Sequence, residues 1–347
     1  MKKKYVFTIC SNNYLAQAKT LGDSVLEHNP DYKFIIALCD KKSSEVDYSP
    51  FFDFEIIEAH NLEIEAFDKM SAIYNIVELN TSIKPFVFKY IYRHFDADIV
   101  IYLDPDIMVF ENFKCIENEL VISSILLTPH IYKPIPFDDK NPTENTFTNY
   151  GIYNLGFLAT KKSQDSDSLF EWLSDRMAQN CFIREAEGIF VDQLPMNFAP
   201  IFFNNIKITY NEGMNAAPWN LQERIISIKN GKYYVNNRFN LIFYHFSNYN
   251  PLNPEVVAVY YTRVGFNDNP SLKVLYDEYN KKLLSNGYEK YKTIKNFYSS
   301  DLSGWERTVK LPKSEKESIV KYMIQHPFFI FRKNFYKLLF RLMHIEN

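Results

Sequence analysis

IVIYLDPDIMVFENF, residues 99–113, is the stretch on which the reading of this chain turns. Five apolar residues lead into Asp104 and Asp106, which are separated only by Pro105, and a second apolar run follows directly. Two carboxylates this close repel each other and lose hydration beside a core, so something must compensate them. IVIYL has the length and apolar continuity of a buried strand. The acidic pair therefore stands just past the carboxyl end of that strand.

Similar runs surround it. Residues 5–10 (YVFTIC), 34–39 (FIIALC) and 54–57 read as strands. Residues 14–28 bring Leu15, Ala18, Leu21, Val25 and Leu26 near one helical face, and Asn29-Pro30 ends that helix. Residues 64–79 read as one helix and 84–95 as another, with Pro85 in its first turn. Residues 121–149 become polar and Pro-rich towards their end, a mobile loop or a surface excursion. Residues 153–160, 201–208 and 241–246 read as strands, 168–178 as a helix, and the chain after 250 as helical and charged. Buried strands alternating with helices predict an α/β fold, Rossmann-like, with a mostly parallel central sheet and helices on both faces. Residues 1–250 would form that domain and 251–347 a helical C-terminal extension. Ligands of such sheets bind beyond the carboxyl ends of the strands, where Asp104 and Asp106 stand.

Composition narrows the function. Hydrophobic residues are 46% of 347, enough for a full core. The net charge of −3 supplies no general basic field, so nucleic acid is not an expected partner. Cys10, Cys39, Cys115 and Cys181 are far apart and include no CxxC pair, which reads as free thiols in a reducing compartment. The apolar run after MKKK is too short for a signal peptide, and no 18-residue apolar run follows, so a cytoplasmic location is expected. Walker, dinucleotide-binding and serine-elbow motifs are absent, which weighs against ATPase, dehydrogenase and serine hydrolase. Residues 326–347 interleave Arg332, Lys333, Lys337 and Arg341 with Phe and Leu. That pattern suits a peripheral contact with an anionic membrane at its inner face, or equally a helix docked on its own domain or a twin subunit.

The chemistry starts from spacing. Residues i and i+2 of extended chain face the same side, and Pro105 favours extension at Asp104. Both carboxylates can then face one ion, and hard oxygen ligands suit Mn²⁺ or Mg²⁺. His245 directly follows a buried strand in LIFYHFSNYNP and is a third ligand or a satisfied core histidine. An Asp-Pro-Asp turn without a metal is the plain alternative.

YIYRHFDADIVIYLDPDIMVF, residues 90–110, resembles the D-x-D segment of GT-A fold glycosyltransferases, especially the retaining glycogenin-like and bacterial galactosyltransferase-like group of the family 8 type. YVFTICSNNY resembles that family's first strand and nucleotide loop, YNLGFLAT its Asn-x-Gly strand, VDQLPMN its Asp-Gln helix start, and HFSN its late metal-binding histidine. The pieces fall in the family's order over roughly residues 5–250. The resemblance implies that Asp104, Asp106 and His245 hold the metal and that Asp104 approaches the ribose. It places Thr8, Asn13 and Tyr14 at the base and ribose, and Lys84 or Lys89 at the diphosphate or donor sugar. Asn154 and Gly156 would border the sugar, Asp192 and Gln193 would lie near the anomeric carbon, and Trp219 would be an acceptor platform. Two features depart from the family. Ser11-Asn12 stands where relatives often carry an aspartate that reads uracil, and HFSNYNP lacks the glycine and lysine of H-x-x-G-x-x-K. Another cation, Lys84, Lys89 or Arg224, would then serve the pyrophosphate.

The expected function is a metal-dependent glycosyltransferase. It would move a sugar from a nucleotide-diphosphate donor, a UDP-sugar favoured, to a glycan or lipid-linked acceptor in cell-surface polysaccharide or lipopolysaccharide synthesis. Retention of configuration follows from the resemblance. The alternatives are a catalytically silent sugar-binding or scaffold protein on the same fold, a sugar nucleotidyltransferase, and a membrane-associated interaction protein driven by its tail.

Overall fold

The computed structural model describes residues 2–298. Its first half alternates as the sequence predicts: β1 (Lys4–Cys10), α1 (Leu15–His28), β2 (Lys33–Leu38), β3 (Glu55–Glu58), α2 (Phe67–Ile73), α3 (Ile76–Ser82), α4 (Lys84–His94), β4 (Ile99–Leu103) and β5 (Ile107–Val109). Next come α5 (Lys114–Ile122), β6 (Ile125–Leu127), α6 (Glu144–Tyr150), β7 (Phe157–Lys161), α7 (Gln164–Asn180), β8 (Ile183–Arg184), β9 (Ile189–Phe190), α8 (Gln193–Met196) and α9 (Ala199–Phe202). The remainder is β10 (Ile206–Ile208), β11 (Ile226–Lys229), β12 (Lys232–Val235), β13 (Phe239–Asn240), β14 (Phe243–His245), α10 (Pro270–Ser285) and α11 (Tyr288–Tyr291).

Seven strands form the central sheet in the order β10-β6-β7-β4-β1-β2-β3. All neighbours are parallel except β7, which runs antiparallel to both β4 and β6. Strand residues alternate between two cores. Val6, Phe34, Ile36, Ile99, Ile101 and Leu103 meet Leu15, Ala18, Leu21 and Val25 of α1 on one face. Phe7, Ile35, Val100 and Tyr102 meet Val87, Phe88 and Ile91 of α4 and Leu169, Phe170 and Leu173 of α7 on the other. Each fully buried aliphatic or aromatic side chain contributes about 1.5–3 kcal/mol, so the two-sided cover fixes strand register firmly. Leu272, Leu275, Tyr276 and Tyr279 of α10 join the first core.

Three sequence expectations change. Residues 121–149 are not simply a loop: Ile125–Leu127 is a buried strand of the central sheet, and α6 begins at Glu144. Residues 64–79 are not one helix: α2 ends at Ile73, and Asn75 caps α3 by accepting the Glu78 N–H at 2.8 Å while Glu78 accepts the Asn75 N–H at 2.9 Å. Residues 201–208 are not one strand. Pro200 sits in the first turn of α9, and only Ile206–Ile208 pairs with β6. No described helix is long and apolar enough to cross a membrane. The basic-aromatic tail, residues 326–347, lies outside the described residues.

Candidate functional site

The acidic pair ends β4 at the heart of the sheet. The Asp104 N–H donates to the Gly156 carbonyl at 2.8 Å, and the Asp104 carbonyl accepts the Ile107 N–H at 3.1 Å. The chain thus turns directly from β4 into β5. Strand β14 pairs antiparallel with β5, and His245 stands opposite Ile107. The Phe246 N–H donates to the Asp106 carbonyl at 2.8 Å, which locks His245 beside the turn. His245 Nε2 lies 3.0 Å from Asp106 Oδ1 and 3.7 Å from Asp104 Oδ2. One ligand atom from each residue falls within 4.8 Å of the others. Two carboxylate oxygens and an imidazole nitrogen form a donor set of the kind that holds a divalent cation.

Gly156 makes room for this group. A Cβ there would lie 2.5 Å from His245 Cε1 and 2.7 Å from Asp104 Oδ2. Burial raises the Asp104 carboxyl above its ordinary range, and neighbouring Asp106 raises it further against the pull of Lys84 and His245. Burial alone would lower the His245 imidazole, but Asp106 and Asp104 outweigh it, so His245 is raised. The trio is therefore a place where charge is costly without a cation. Tyr102 donates its phenol to Asp104 Oδ1 at 2.5 Å.

A second charged group lies against the face of the Tyr102 ring. Lys84, at the start of α4, points its ammonium over that ring at 4.3 Å. Lys84 Nζ also donates to Asp192 Oδ2 at 2.6 Å and to the Leu155 carbonyl at 2.8 Å. Both side chains are sealed, 4% and 2% exposed. Burial raises the Asp192 carboxyl, with Lys84 opposing. Val191 precedes it at φ +34°, a conformation a β-branched residue holds only under restraint.

Asn154 and Gln193 form one bonded wall. Gln193 Oε1 accepts from Asn154 Nδ2 and from the Leu155 N–H, each at 3.1 Å, and Gln193 Nε2 donates to the Tyr150 carbonyl at 3.1 Å. Asn154 Oδ1 accepts from Asn215 Nδ2 at 2.9 Å, and Asn154 Nδ2 also meets His130 Nε2 at 3.2 Å. Burial pushes the His130 imidazole down to about 4. His130, Asn215 and Tyr102 lack motif spacing, so the sequence does not single them out.

Beside the acidic turn is a cleft of about 240 Å³ lined by Ser11, Asn13, Tyr14, Val77, Asn80, Thr81 and residues 104–106, among others. Tyr14 is 45% exposed and offers a ring face there. The structure thus gathers Asn13, Tyr14, Asp104, Asp106 and His245, with Lys84, Asp192, Asn154, Gly156 and Gln193 around the same turn. Other expected residues fall elsewhere. Thr8 is enclosed within β1 and does not line the cleft. Lys89 pairs with Glu171 of α7 at 2.9 Å. Arg224 is fully buried and donates to the Met214 carbonyl at 2.8 Å and the Glu212 carbonyl at 3.2 Å, so it is no surface partner for a phosphate. Trp219 is 3% exposed and packs edge-on against His245 with centroids 5.0 Å apart. It is a backing for the histidine and not an open platform. Asn12 turns from the cleft to Asp40 Oδ2, 2.9 Å away. Ile76, Val77, Asn80 and Thr81 of α3 are the part of the cleft that the sequence did not suggest.

No family model matches the chain. Over 279 residues it is 23% identical to the uncharacterized protein YfnD of Bacillus subtilis, spanning 78% of this chain and 86% of that protein. Over 245 residues it is 26% identical to the uncharacterized protein YfnF of the same organism, spanning 70% and 80%. Among solved structures it is similar to the galactosyltransferase LgtC in complex with donor and acceptor sugar analogues, with a TM-score of 0.46 and 14% identity over 81% of this chain and 95% of that one. It is also similar to the glycosyltransferase GlyE of Streptococcus pneumoniae, with a TM-score of 0.45 and 15% identity over 86% and 66%.

Proposed function

We propose that this protein is a metal-dependent glycosyltransferase that takes a sugar from a nucleoside-diphosphate donor and passes it to a glycan or lipid-linked acceptor. The observation that carries the reading is the convergence of Asp104, Asp106 and buried His245 on one point, with both carboxylates lining an open cleft. Two carboxylates share one imidazole as their only close positive partner, which leaves room for a divalent cation to replace its proton, and the adjoining cleft offers a ring and neutral polar side chains to a base and ribose.

The residues have distinct tasks in this reading. Tyr14 stacks on the base, and Ser11, Asn13 and Thr81 border the base and ribose. Asp104, Asp106 and His245 would hold Mn²⁺ or Mg²⁺. Such an ion, when bound, neutralises the charge that builds on the diphosphate leaving group. Lys84 brings a fixed positive charge to the same region, held in place by Asp192 and the Leu155 carbonyl. Because its carboxylate is paired with Lys84, Asp192 orients that lysine; the Asn154–Gln193 wall shapes the neighbouring sugar space. The family resemblance favours a UDP-sugar, retention of configuration and a role in surface-glycan assembly.

Calorimetric titration of UDP and GDP with and without Mn²⁺, on wild type and Asp106→Asn, tests the donor site. Metal-dependent binding of one nucleotide, lost in the variant, supports it. Absence of binding for both nucleotides under every condition overturns it. Release of the nucleoside diphosphate from a matching nucleotide-sugar, with sugar appearing on an added acceptor, separates a transferase from a silent binding protein.

A further inference from the structure

Tyr102 touches both halves of the site. Its hydroxyl donates to Asp104 Oδ1 at 2.5 Å, and the Lys84 ammonium sits 4.3 Å over its ring. Phe7 packs on that ring with centroids 5.1 Å apart, and β7 pairs Leu158 opposite Tyr102. The ring is therefore fixed from several sides, and the hydroxyl cannot swing away.

The two oxygens of Asp104 consequently have different surroundings. Oδ1 is occupied by the phenol. Oδ2 lies 3.7 Å from His245 Nε2 and borders the space that Gly156 leaves open, where a Cβ would approach it to 2.7 Å. A carboxylate torsion is otherwise broad and would let both oxygens reach one ion. Six-coordinate Mn²⁺ or Mg²⁺ can spare few positions if it must also hold phosphate oxygens, whereas larger Ca²⁺ takes more ligands and favours bidentate carboxylates.

We propose that Tyr102 is a positioning residue that sets the denticity of Asp104. By engaging Oδ1 it leaves Oδ2 alone for the cation, so that Asp104, Asp106 and His245 supply three protein atoms and the remaining positions stay open for the diphosphate. This inference rests on the metal-dependent reading above. It adds a selectivity: the site admits small octahedral cations and disfavours Ca²⁺.

Tyr102→Phe tests it, because the ring and its packing remain while the hydroxyl is lost. Calorimetry would measure Mn²⁺ alone, Ca²⁺ alone, and UDP or GDP on the Mn²⁺-loaded protein, with a thermal melt as a folding check. Mn²⁺ alone should bind within about threefold of wild type, Ca²⁺ about fivefold tighter, and the nucleotide about tenfold weaker. A merely structural role would instead weaken every ligand together with the melting temperature. Wild type gives an independent check that needs no variant: it should prefer Mn²⁺ to Ca²⁺ by about tenfold or more. Equal binding of the two ions by wild type overturns the inference. So does a Tyr102→Phe protein with wild-type values beside a normal, metal-dependent nucleotide site; the glycosyltransferase reading then survives. Failure of wild type to bind Mn²⁺ with or without nucleotide overturns both.

Discussion

Lys84–Asp192 and Asp104–Asp106–His245 meet at one tyrosine, the first over its ring face and the second at its hydroxyl, and handle charge in different ways. The first pair carries its own cation. It is sealed from water, with a 2.6 Å contact and a backbone carbonyl to complete it. The second group has two carboxylates and one imidazole, and its aspartate side chains remain 31% and 27% exposed toward the cleft. The contrast distinguishes a carboxylate used as scaffold from one kept for a ligand. Where one cation matches one carboxylate the site is closed, and where a single imidazole faces two carboxylates the site is open.

The largest effect should come from breaking the sealed pair. Lys84→Met leaves Asp192 buried without its partner and should cost about 3–5 kcal/mol of stability in urea unfolding. A Lys84→Met, Asp192→Leu double variant should recover much of that stability while still losing activity. If the single variant unfolds no more easily than wild type, the pair is not the scaffold described here.

Next in size is an acid effect at His130, which is buried against Phe147 and Trp219. His130 in the fold is pushed down to about 4, while an unfolded imidazole keeps its ordinary value near 6.5. Between those values the unfolded chain holds the extra proton, so this stability is present above about pH 6.5 and is lost as pH falls towards 4. The amount is about 3 kcal/mol. His130→Gln should flatten that part of the stability–pH curve relative to wild type.

The open side predicts losses of binding with little loss of fold. Asp106→Asn should weaken Mn²⁺ by about 100-fold, near 2.7 kcal/mol, with the melting temperature of the metal-free protein almost unchanged. A marked loss of metal-free stability would make Asp106 scaffold and erase the contrast. The smallest expected effect is Tyr14→Ala. Loss of a stacking face should weaken the nucleotide by about 1 kcal/mol and leave Mn²⁺ affinity untouched, read in the same titrations.

The open group was legible in the sequence, and the closed one was not. Asp104 and Asp106 follow an apolar strand, two residues apart, so spacing alone puts them on one side. His245 ends another apolar run, and pairing of β14 with β5 delivers it. The Lys84–Asp192 contact spans 108 positions along the chain and depends on how α4 packs beside the start of α8. No local pattern encodes that. Resemblance placed both residues near the donor sugar without showing that they bind each other. Trp219 and Arg224 were misplaced for a related reason: composition marks a ring or a cation as able to meet a ligand, whereas burial is decided by neighbours distant in sequence. At the level of elements, the long apolar strands of the first half were read, but the three-residue β6 was lost inside residues 121–149. Breaks at Asn75 and Pro200, made by caps and turns, were smoothed over.

The pairing of β14 with β5 also has a consequence in time. Asp104 and Asp106 are synthesised early, but the strand that carries His245 comes late, and Gly156 must already have closed against Asp104. Chains emerge from the amino end at about 5–20 residues per second, so for several seconds a nascent chain holds the two carboxylates without the third ligand. The complete ion site can exist only once the central sheet and the β5–β14 pair have been assembled. Cation capture would then be the last event of maturation, and metal affinity a report on whether the whole chain has reached its native arrangement.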